Sequence, residues 1–437
     1  MDGAWRAGCL SWMQQTLARH VVEPWFPRAI DTERGGFHSE LGARWQRLPE
    51  RSRLLEYQAR QTRSMARLAD ALPEADWMRD GSLDALRYVR ASFWDEQAGG
   101  LFTLIALDGT PLLAATKHGH GAAYSLGAAA EVYRATGAQE ALDFGLELFA
   151  WVDRHFHDAE NGGYHGWVTR EGRPILTTGD IPRELRQRER DHLGHGIGLK
   201  DANVHSDLLE GLAALAEVGA VERLRKRLDE LYDVVAHRFT TPMGAVHYLT
   251  DTSLTPVPGL EQFGYPAQVG YRLCRAAAVG TLPLDAALAQ ARVMADHMLD
   301  RAFDNRSHGF FEAGQAVEPT GLAGRDLTVR THPWWVQTEA AQLLIQVAVA
   351  FPAEPRYREA VVRLLAFLER EMFDSRNGGM LRQPLREFTF RQRLRSPAQK
   401  ADQWKDASHE TDMCLRGIRM LGGIPAEGPI RPERVPA

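Results

Sequence analysis

The sequence predicts an all-α protein folded as an (α/α)6 barrel: six inner helices, six outer ones, and short β-hairpins at the mouth. Two observations carry that prediction. A glycine-centred mark recurs six times along the 437 residues. Between the marks, apolar residues return at three- and four-residue intervals in twelve segments.

The marks read DTERGGF (31–37), DEQAGGL (95–101), DAENGGY (158–164), TTPMGAV (240–246), DNRSHGF (304–310) and DSRNGGM (374–380). Counted from glycine to glycine, they lie 63 to 81 residues apart. Asp or Asn beside Gly suits a turn with positive φ, and the apolar residue that follows starts a short strand. Each mark therefore predicts a turn followed by a small hairpin or extended run.

The helical segments fall at 3–20, 54–72, 76–93, 117–136, 138–155, 203–218, 220–238, 264–279, 284–302, 333–350, 355–372 and 405–421. A mark follows each odd helix and an even helix follows each mark. Six such units make one barrel domain spanning 1–437. A linear helical solenoid would have similar helices; marks recurring on one side favour a closed ring with a decorated mouth. Two stretches depart from the repeat. An insertion at 173–200, rich in charge, Gly and His, predicts a lid, because long irregular loops in compact domains are usually functional or disordered. A proline-rich stretch at 422–437 predicts an extended C-terminal tail.

Composition narrows the function. Lys and Arg total 52 against 57 Asp and Glu, a net charge of −5, so no basic excess is available for nucleic acid. Three cysteines (Cys9, Cys274 and Cys414) make neither a disulfide scaffold nor a zinc set, and Cys274 and Cys414 read as small buried hydrophobes. No run of 18 apolar residues would span a membrane, and no apolar leader opens the chain. Reduced thiols without an export signal predict a cytoplasmic protein, monomeric or homodimeric. No phosphate-binding glycine loop, dinucleotide fingerprint or nucleophile elbow occurs, and no HExxH-type set stands on one helix face, so neither cofactor nor metal is expected.

Inner helices are buried nearly all round, so polar residues near their N-termini need a reason. Tyr57 and Arg60 stand on the second helix, Lys117 and His120 on the fourth, and Asn203, His205, Asp207 and Glu210 on the sixth. Tyr265 and Gln268 stand on the eighth, Trp334, Trp335 and Glu339 on the tenth, and Trp404 and His409 at the twelfth. Indole faces for C–H surfaces and a polar fence for hydroxyls suit a small-molecule sugar. Inward-pointing helix N-termini add donors for an oxyanion or enolate. Glu210 and Glu339 have a plainer reading as ion-pair partners of arginines on neighbouring inner helices. Of Trp334 and Trp335, one is expected to face the cleft and one the core. His192 and His195 are either flexible surface residues or lid residues that touch substrate.

The segments QARQ (58–61), KHGHGAAY (117–124), KDANVHSDLLE (200–210), GYPAQ (264–268), WWVQTEA (334–340) and WKDASH (404–409) resemble the N-acylglucosamine 2-epimerase family. That family includes mannose isomerases, sulfoquinovose-type aldose–ketose isomerases and cellobiose 2-epimerases. The resemblance spans nearly the whole chain, and WWVQTEA and WKDASH are its most specific parts. It implies an (α/α)6 barrel and cofactor-free proton transfer at the carbon next to a sugar carbonyl. It also implies that Arg60 steadies the carbonyl or enolate oxygen, that His409 abstracts the proton, and that Asn203 matches the family's asparagine. The chain departs from the pattern in the cleft. Asp207 stands where the family has histidine, Tyr265 and Gln268 replace a second histidine and its carboxylate partner, and His120 replaces tyrosine.

Aldose–ketose isomerisation runs with one base that moves a proton between C2 and C1 on one face of a cis-enediol, whereas 2-epimerisation needs donors on both faces. The departures therefore favour isomerisation, unless Tyr265 is a second proton carrier. His120 or His205 is expected to help Arg60 hold the enediolate. Asp207 is expected to fix the tautomer of His205 or His409, or to bind a hydroxyl. Two alternatives stay open: a glycoside hydrolase or lyase that uses Asp207 as its acid, and a sugar-binding protein without catalysis. Arg183, Arg186, Arg188, Arg190 and Lys200 in the insertion read as a solvated loop or as partners for an anionic substituent.

Overall fold

A computed structural model of the chain describes residues 2–72, 76–187, 189–315, 329–389 and 399–423. Among the described residues, twelve helices carry the fold: α1 (Asp2–Thr16), α2 (Leu55–Ala71), α3 (Trp77–Phe93), α4 (Gly119–Thr136), α5 (Gln139–His155), α6 (Ala202–Val218), α7 (Glu222–Val234), α8 (Gly264–Val279), α9 (Leu284–Arg301), α10 (Trp334–Ala350), α11 (Pro355–Phe367) and α12 (Ser408–Leu421). They match the twelve periodic segments. The periodicity runs past the α-helical ends of α1, α7 and α11 because each continues into a π-helical turn, at Leu17–Val22, Val235–Phe239 and Leu368–Met372.

The two helix sets differ as inner and outer rings should. On α3 only Met78, Ser82, Ala85, Leu86, Val89 and Phe93 are buried, one stripe at helical spacing. On α8 every residue from Gly264 to Ala277 is buried. The even helices pack in sequence, α2 on α4, α4 on α6, α6 on α8, α8 on α10, and α10 on α12. Helix α12 packs back on α2, and the inner ring closes.

Each mark is a tight hairpin closed by one bridge: Ile30 with Phe37, Trp94 with Leu101, His157 with Tyr164, Thr240 with Val246, Phe303 with Phe310, and Phe373 with Met380. In five of them the leading Asp accepts backbone N–H groups inside its own turn, as Asp31 does from Glu33 and Arg34. Four of these carboxylates also meet a buried cation placed just before the next inner helix. The pairs are Arg53–Asp31, Lys117–Asp95, Lys200–Asp158 and Lys400–Asp374. TTPMGAV has neither Asp nor cation, in keeping with its weaker match.

Short antiparallel strands then stitch the first five units together in sequence. β1 (Ser52–Leu54) pairs with β2 (Leu104–Ala106), and β3 (Lys117–His118) with β4 (Trp167–Val168). β5 (Lys200–Asp201) pairs with β6 (Leu249–Thr250), and β7 (Leu260–Gln262) with β8 (Ala313–Gln315). A bridge from Ala401 to Leu41 joins the last unit to the first. A solenoid would leave both ends of this series open.

Deeper along the inner helices an ionic web crosses the barrel. Glu210 accepts from Arg67 at 2.9 Å, Arg275 at 2.6 Å and Arg416 at 3.1 Å, as its plainer reading expected. The insertion at 173–200 has a small core of its own, Ile175, Ile181 and Leu185, packed against Leu113, Ala114, Trp167 and Ile197. Its Arg183, Arg186 and Arg190 are exposed, while Lys200 is spent on the Asp158 clamp; Arg188 lies outside the described residues. Of the proposed tail, only Gly422 and Gly423 are described. The three cysteines are buried and form no disulfide among the described residues. No helix among the described residues is long and apolar enough to cross a membrane.

Candidate functional site

The mouth is organised by one helical register. The second residue of each inner helix is, in ring order, Glu56, His120, Asn203, Tyr265, Trp335 and His409. One turn further in, on the same helix face, stand Arg60, Tyr124, Asp207 and Glu339. Neighbouring helices meet at these levels. Glu56 Oε1 lies 3.3 Å from His120 Nδ1, and the rings of Tyr265 and Trp335 are 5.6 Å apart. Gly264 makes the second approach feasible: a Cβ there would stand 1.9 Å from the Trp335 ring.

On the α10–α12 wall, His409 Nδ1 lies 2.7 Å from Glu339 Oε1. A carboxylate only accepts, so Nδ1 is the donor and Nε2 is the nitrogen left outside this bond. Glu339, expected to touch substrate, is instead buried and orients the imidazole. Arg60 approaches the same wall from α2. Its Nε is 2.6 Å from Asp406 Oδ2, and its Nη2 donates to the Trp404 carbonyl at 3.2 Å. Burial opposes the guanidinium charge, but Asp406 outweighs it and raises the Arg60 pKa further. Asp406 also accepts the Ser408 N–H at 2.8 Å, so one short loop sets both the arginine and the start of α12. Trp334 is buried, with Arg382 4.7 Å above its ring and the His409 ring 6.2 Å away, edge to face. Trp335 is the half-buried member of the pair.

The α4–α6–α8 wall is an ionic chain. His120 Nε2 lies 2.9 Å from Asp207 Oδ2, and Asp207 Oδ1 lies 2.5 Å from Arg272 Nη1. Arg272 donates to Ser206 Oγ at 2.9 Å, and that hydroxyl donates to Gln268 Oε1 at 3.0 Å. Burial would lower the His120 pKa, but its bonds to Asp207 and Glu56 raise it to about 9, making it an imidazolium at neutral pH. Burial would raise the Asp207 carboxyl, but Arg272 and His120 hold it down at about 2. Burial pushes the Tyr265 hydroxyl well above its ordinary pKa, and Tyr248 beside it adds to the rise, so it stays a phenol.

Four further sequence expectations are corrected. Lys117 does not face substrate; its ammonium is buried against Asp95 at 3.2 Å and the carbonyls of Gly99 and Arg170. Tyr57 is buried and donates to the His38 carbonyl at 2.7 Å. His205 is a hairpin anchor. Its Nδ1 lies 2.7 Å from the Asp201 carbonyl, and its Nε2 accepts the Tyr164 N–H at 3.0 Å. Burial lowers its pKa to about 4, and it has no proton to give an enediolate. Gln58 and Gln337 serve their hairpins from the same fourth position of α2 and α10. Asp207 contacts neither His205 nor His409 in the manner expected; its partners are His120 and Arg272.

Sequence reasoning missed Glu56, Asp406 and Arg272. Glu56 shares the second-position register with His120, Asn203 and His409, and that register was the available signal. The insertion also reaches the site: His192 Nε2 lies 2.6 Å from Glu56 Oε1, and His118 Nε2 lies 3.0 Å from Asp191 Oδ2. Ligand atoms of Glu56, His118 and His192 fall within 4.8 Å of one another. His118, however, accepts the His120 N–H with Nδ1 and holds Asp191 with Nε2, so neither lone pair is free for a cation.

Fold and site together define an (α/α)6 barrel with an imidazole–carboxylate pair and an arginine at a polar mouth. No family model matches the chain. A cellobiose 2-epimerase of Ruminococcus albus is 22% identical over 420 residues, covering 94% of this chain and 98% of that protein. The structure of a cellobiose 2-epimerase from Bacillus thermoamylovorans superposes with a TM-score of 0.79 at 18% identity, covering 94% of this chain and 99% of that one. The structure of a D-mannose isomerase gives 0.75 at 17% identity, with 95% and 98% covered. These relatives are of the same kinds that the motifs resemble, and they match the barrel over nearly its full length.

Proposed function

We propose that the chain is a sugar isomerase or epimerase that moves a proton at C1 and C2 of an aldose or ketose through an enediolate, with aldose–ketose isomerisation as its main reaction. One observation carries the reading: His409, held by Glu339 at 2.7 Å, presents a basic nitrogen on the wall that Arg60 approaches from α2.

In the open-chain sugar, His409 Nε2 takes the C2 proton and the C–H electrons pass to the C1 carbonyl oxygen. Arg60 stabilises the enediolate that forms. The O2 proton moves to O1, C2 becomes the carbonyl, and the His409 imidazolium returns its proton to C1 on the same face. The preference for isomerisation rests on the opposite wall. His120 has both nitrogens on carboxylates, His205 is committed to a hairpin, and the buried Tyr265 phenol, its pKa raised well above the ordinary value, is a poor acid. A second-face donor is what 2-epimerisation requires. The cleavage reading loses its acid, because Asp207 at about 2 has no proton to give at neutral pH.

The test is a proton-NMR time course in D2O with glucose, mannose and fructose. Ketose forming ahead of any C2 epimer supports isomerisation. Mannose forming from glucose without ketose makes the enzyme an epimerase and returns Tyr265 to the catalytic set.

A further inference from the structure

The insertion brings a histidine to the reacting end of the mouth. His192 Nε2 lies 2.6 Å from Glu56, which stands in the ring of second positions between His120 and His409. The His192 ring lies over the Trp404 ring, with centroids 5.8 Å apart and planes inclined by 25°. It also meets His118 edge to face at 4.5 Å. Trp404 gives its carbonyl to Arg60 and precedes His409 by five residues, so its indole stands on the loop that leads into the wall of His409 and Arg60.

The segment that carries His192 is held at several points. Asp191 lies 3.0 Å from His118. His195 Nε2 lies 2.7 Å from the Tyr248 hydroxyl, and its Nδ1 lies 3.5 Å from Asp191 and 3.6 Å from Asp201. Burial would lower the His195 pKa, but Asp201 and Asp191 raise it to about 12, so these contacts are charged at neutral pH. The Ile175–Ile181–Leu185 core packs against Ile197, two residues beyond His195.

Sugar rings bind by laying a C–H face on an indole. Over Trp404 that place is taken by a side chain of the protein itself. We infer that His192 is a specificity wall that closes the cleft to a single sugar ring, so that the substrate is a free monosaccharide and not a disaccharide. The inference rests on the sugar-isomerase reading for the reaction, but the size limit is a matter of space and can be measured by binding alone.

The experiment compares glucose, mannose and fructose with cellobiose, by saturation-transfer NMR for binding and by C2 deuterium exchange for turnover. The wild type is expected to bind and exchange the hexoses, with kcat/KM for cellobiose at least about 100-fold lower. His192→Ala is expected to narrow that ratio by at least about tenfold. His192→Phe, which keeps a ring over Trp404 but not the bond to Glu56, is expected to preserve it. Circular dichroism establishes that both variants fold. Cellobiose bound and exchanged by the wild type as well as hexose would overturn the wall, as would a ratio that His192→Ala leaves unchanged. Hexose bound selectively with no exchange would support the wall and instead sink the proton-transfer reading.

Discussion

On the α10–α12 wall of the mouth, an imidazole has one nitrogen on a buried carboxylate and the other outside that bond. On the α4–α6–α8 wall, an imidazole in the same helical position has both nitrogens on carboxylates, and the carboxylate beyond it is locked to an arginine. His409 and His120 are each the second residue of an inner helix. Position alone therefore does not set an imidazole's role; the number of acidic partners separates the two. One partner orients the ring, whereas two fix it as a cation and occupy both its protons.

The sharpest way to break this contrast is to remove His409. His409→Ala should lower kcat for sugar isomerisation by roughly 10²- to 10⁴-fold, the usual share of a general base. Arg60→Ala should cost roughly 10²- to 10³-fold in kcat, as the loss of an oxyanion donor does, with hexose binding retained in saturation-transfer NMR. A similar loss from each but no loss of binding is what the working wall requires.

On the ionic wall the larger effect should be on stability. Asp207→Asn removes the anion between His120 and Arg272 and should cost about 3–5 kcal/mol, read by urea unfolding, because it leaves a buried guanidinium without its charge partner. The pH dependence follows from the two shifted histidines. The His120 pKa is raised to about 9 against about 6.5 in the unfolded chain, so its contribution is complete below about 6.5 and is lost as pH rises through about 9. The His205 pKa is lowered to about 4, so its contribution is present above about 6.5 and is lost as pH falls towards about 4. Thermal unfolding from pH 4 to pH 10 should show stability falling on both sides of neutrality. Asp207→Asn should weaken the alkaline limb and leave the acid limb in place. The smallest effect is expected at Tyr265: Tyr265→Phe should change ketose formation by less than about threefold, since a buried phenol with a raised pKa is a poor proton donor.

The fold was legible because its signals are local. Twelve periodic segments and six hairpin marks lie along the chain, and ring closure follows from their number. The placing of His409, Arg60 and Trp404 near one wall was legible for the same reason, since they stand on motifs at fixed helical spacing, whereas the pairing of Glu339 with His409 was not. Lys117 and His205 were misread because their partners are hairpins distant in sequence. Lys117 answers Asp95 and His205 answers the Tyr164 backbone. The recurrence of Arg53, Lys117, Lys200 and Lys400 just before inner helices was a visible sign of structural duty. The His192–Glu56 contact spans 136 residues and follows from no periodicity. Only the path of the insertion over the mouth brings the two together.

The most direct test of the central claim is deuterium exchange in D2O, followed by proton NMR, with glucose, mannose and fructose and equal amounts of wild type and His409→Ala. The account predicts deuterium entering at C1 or C2 with interconversion of aldose and ketose in the wild type, and loss of both in the variant. Exchange that persists in His409→Ala would contradict it, because the proton would then be moving through another group.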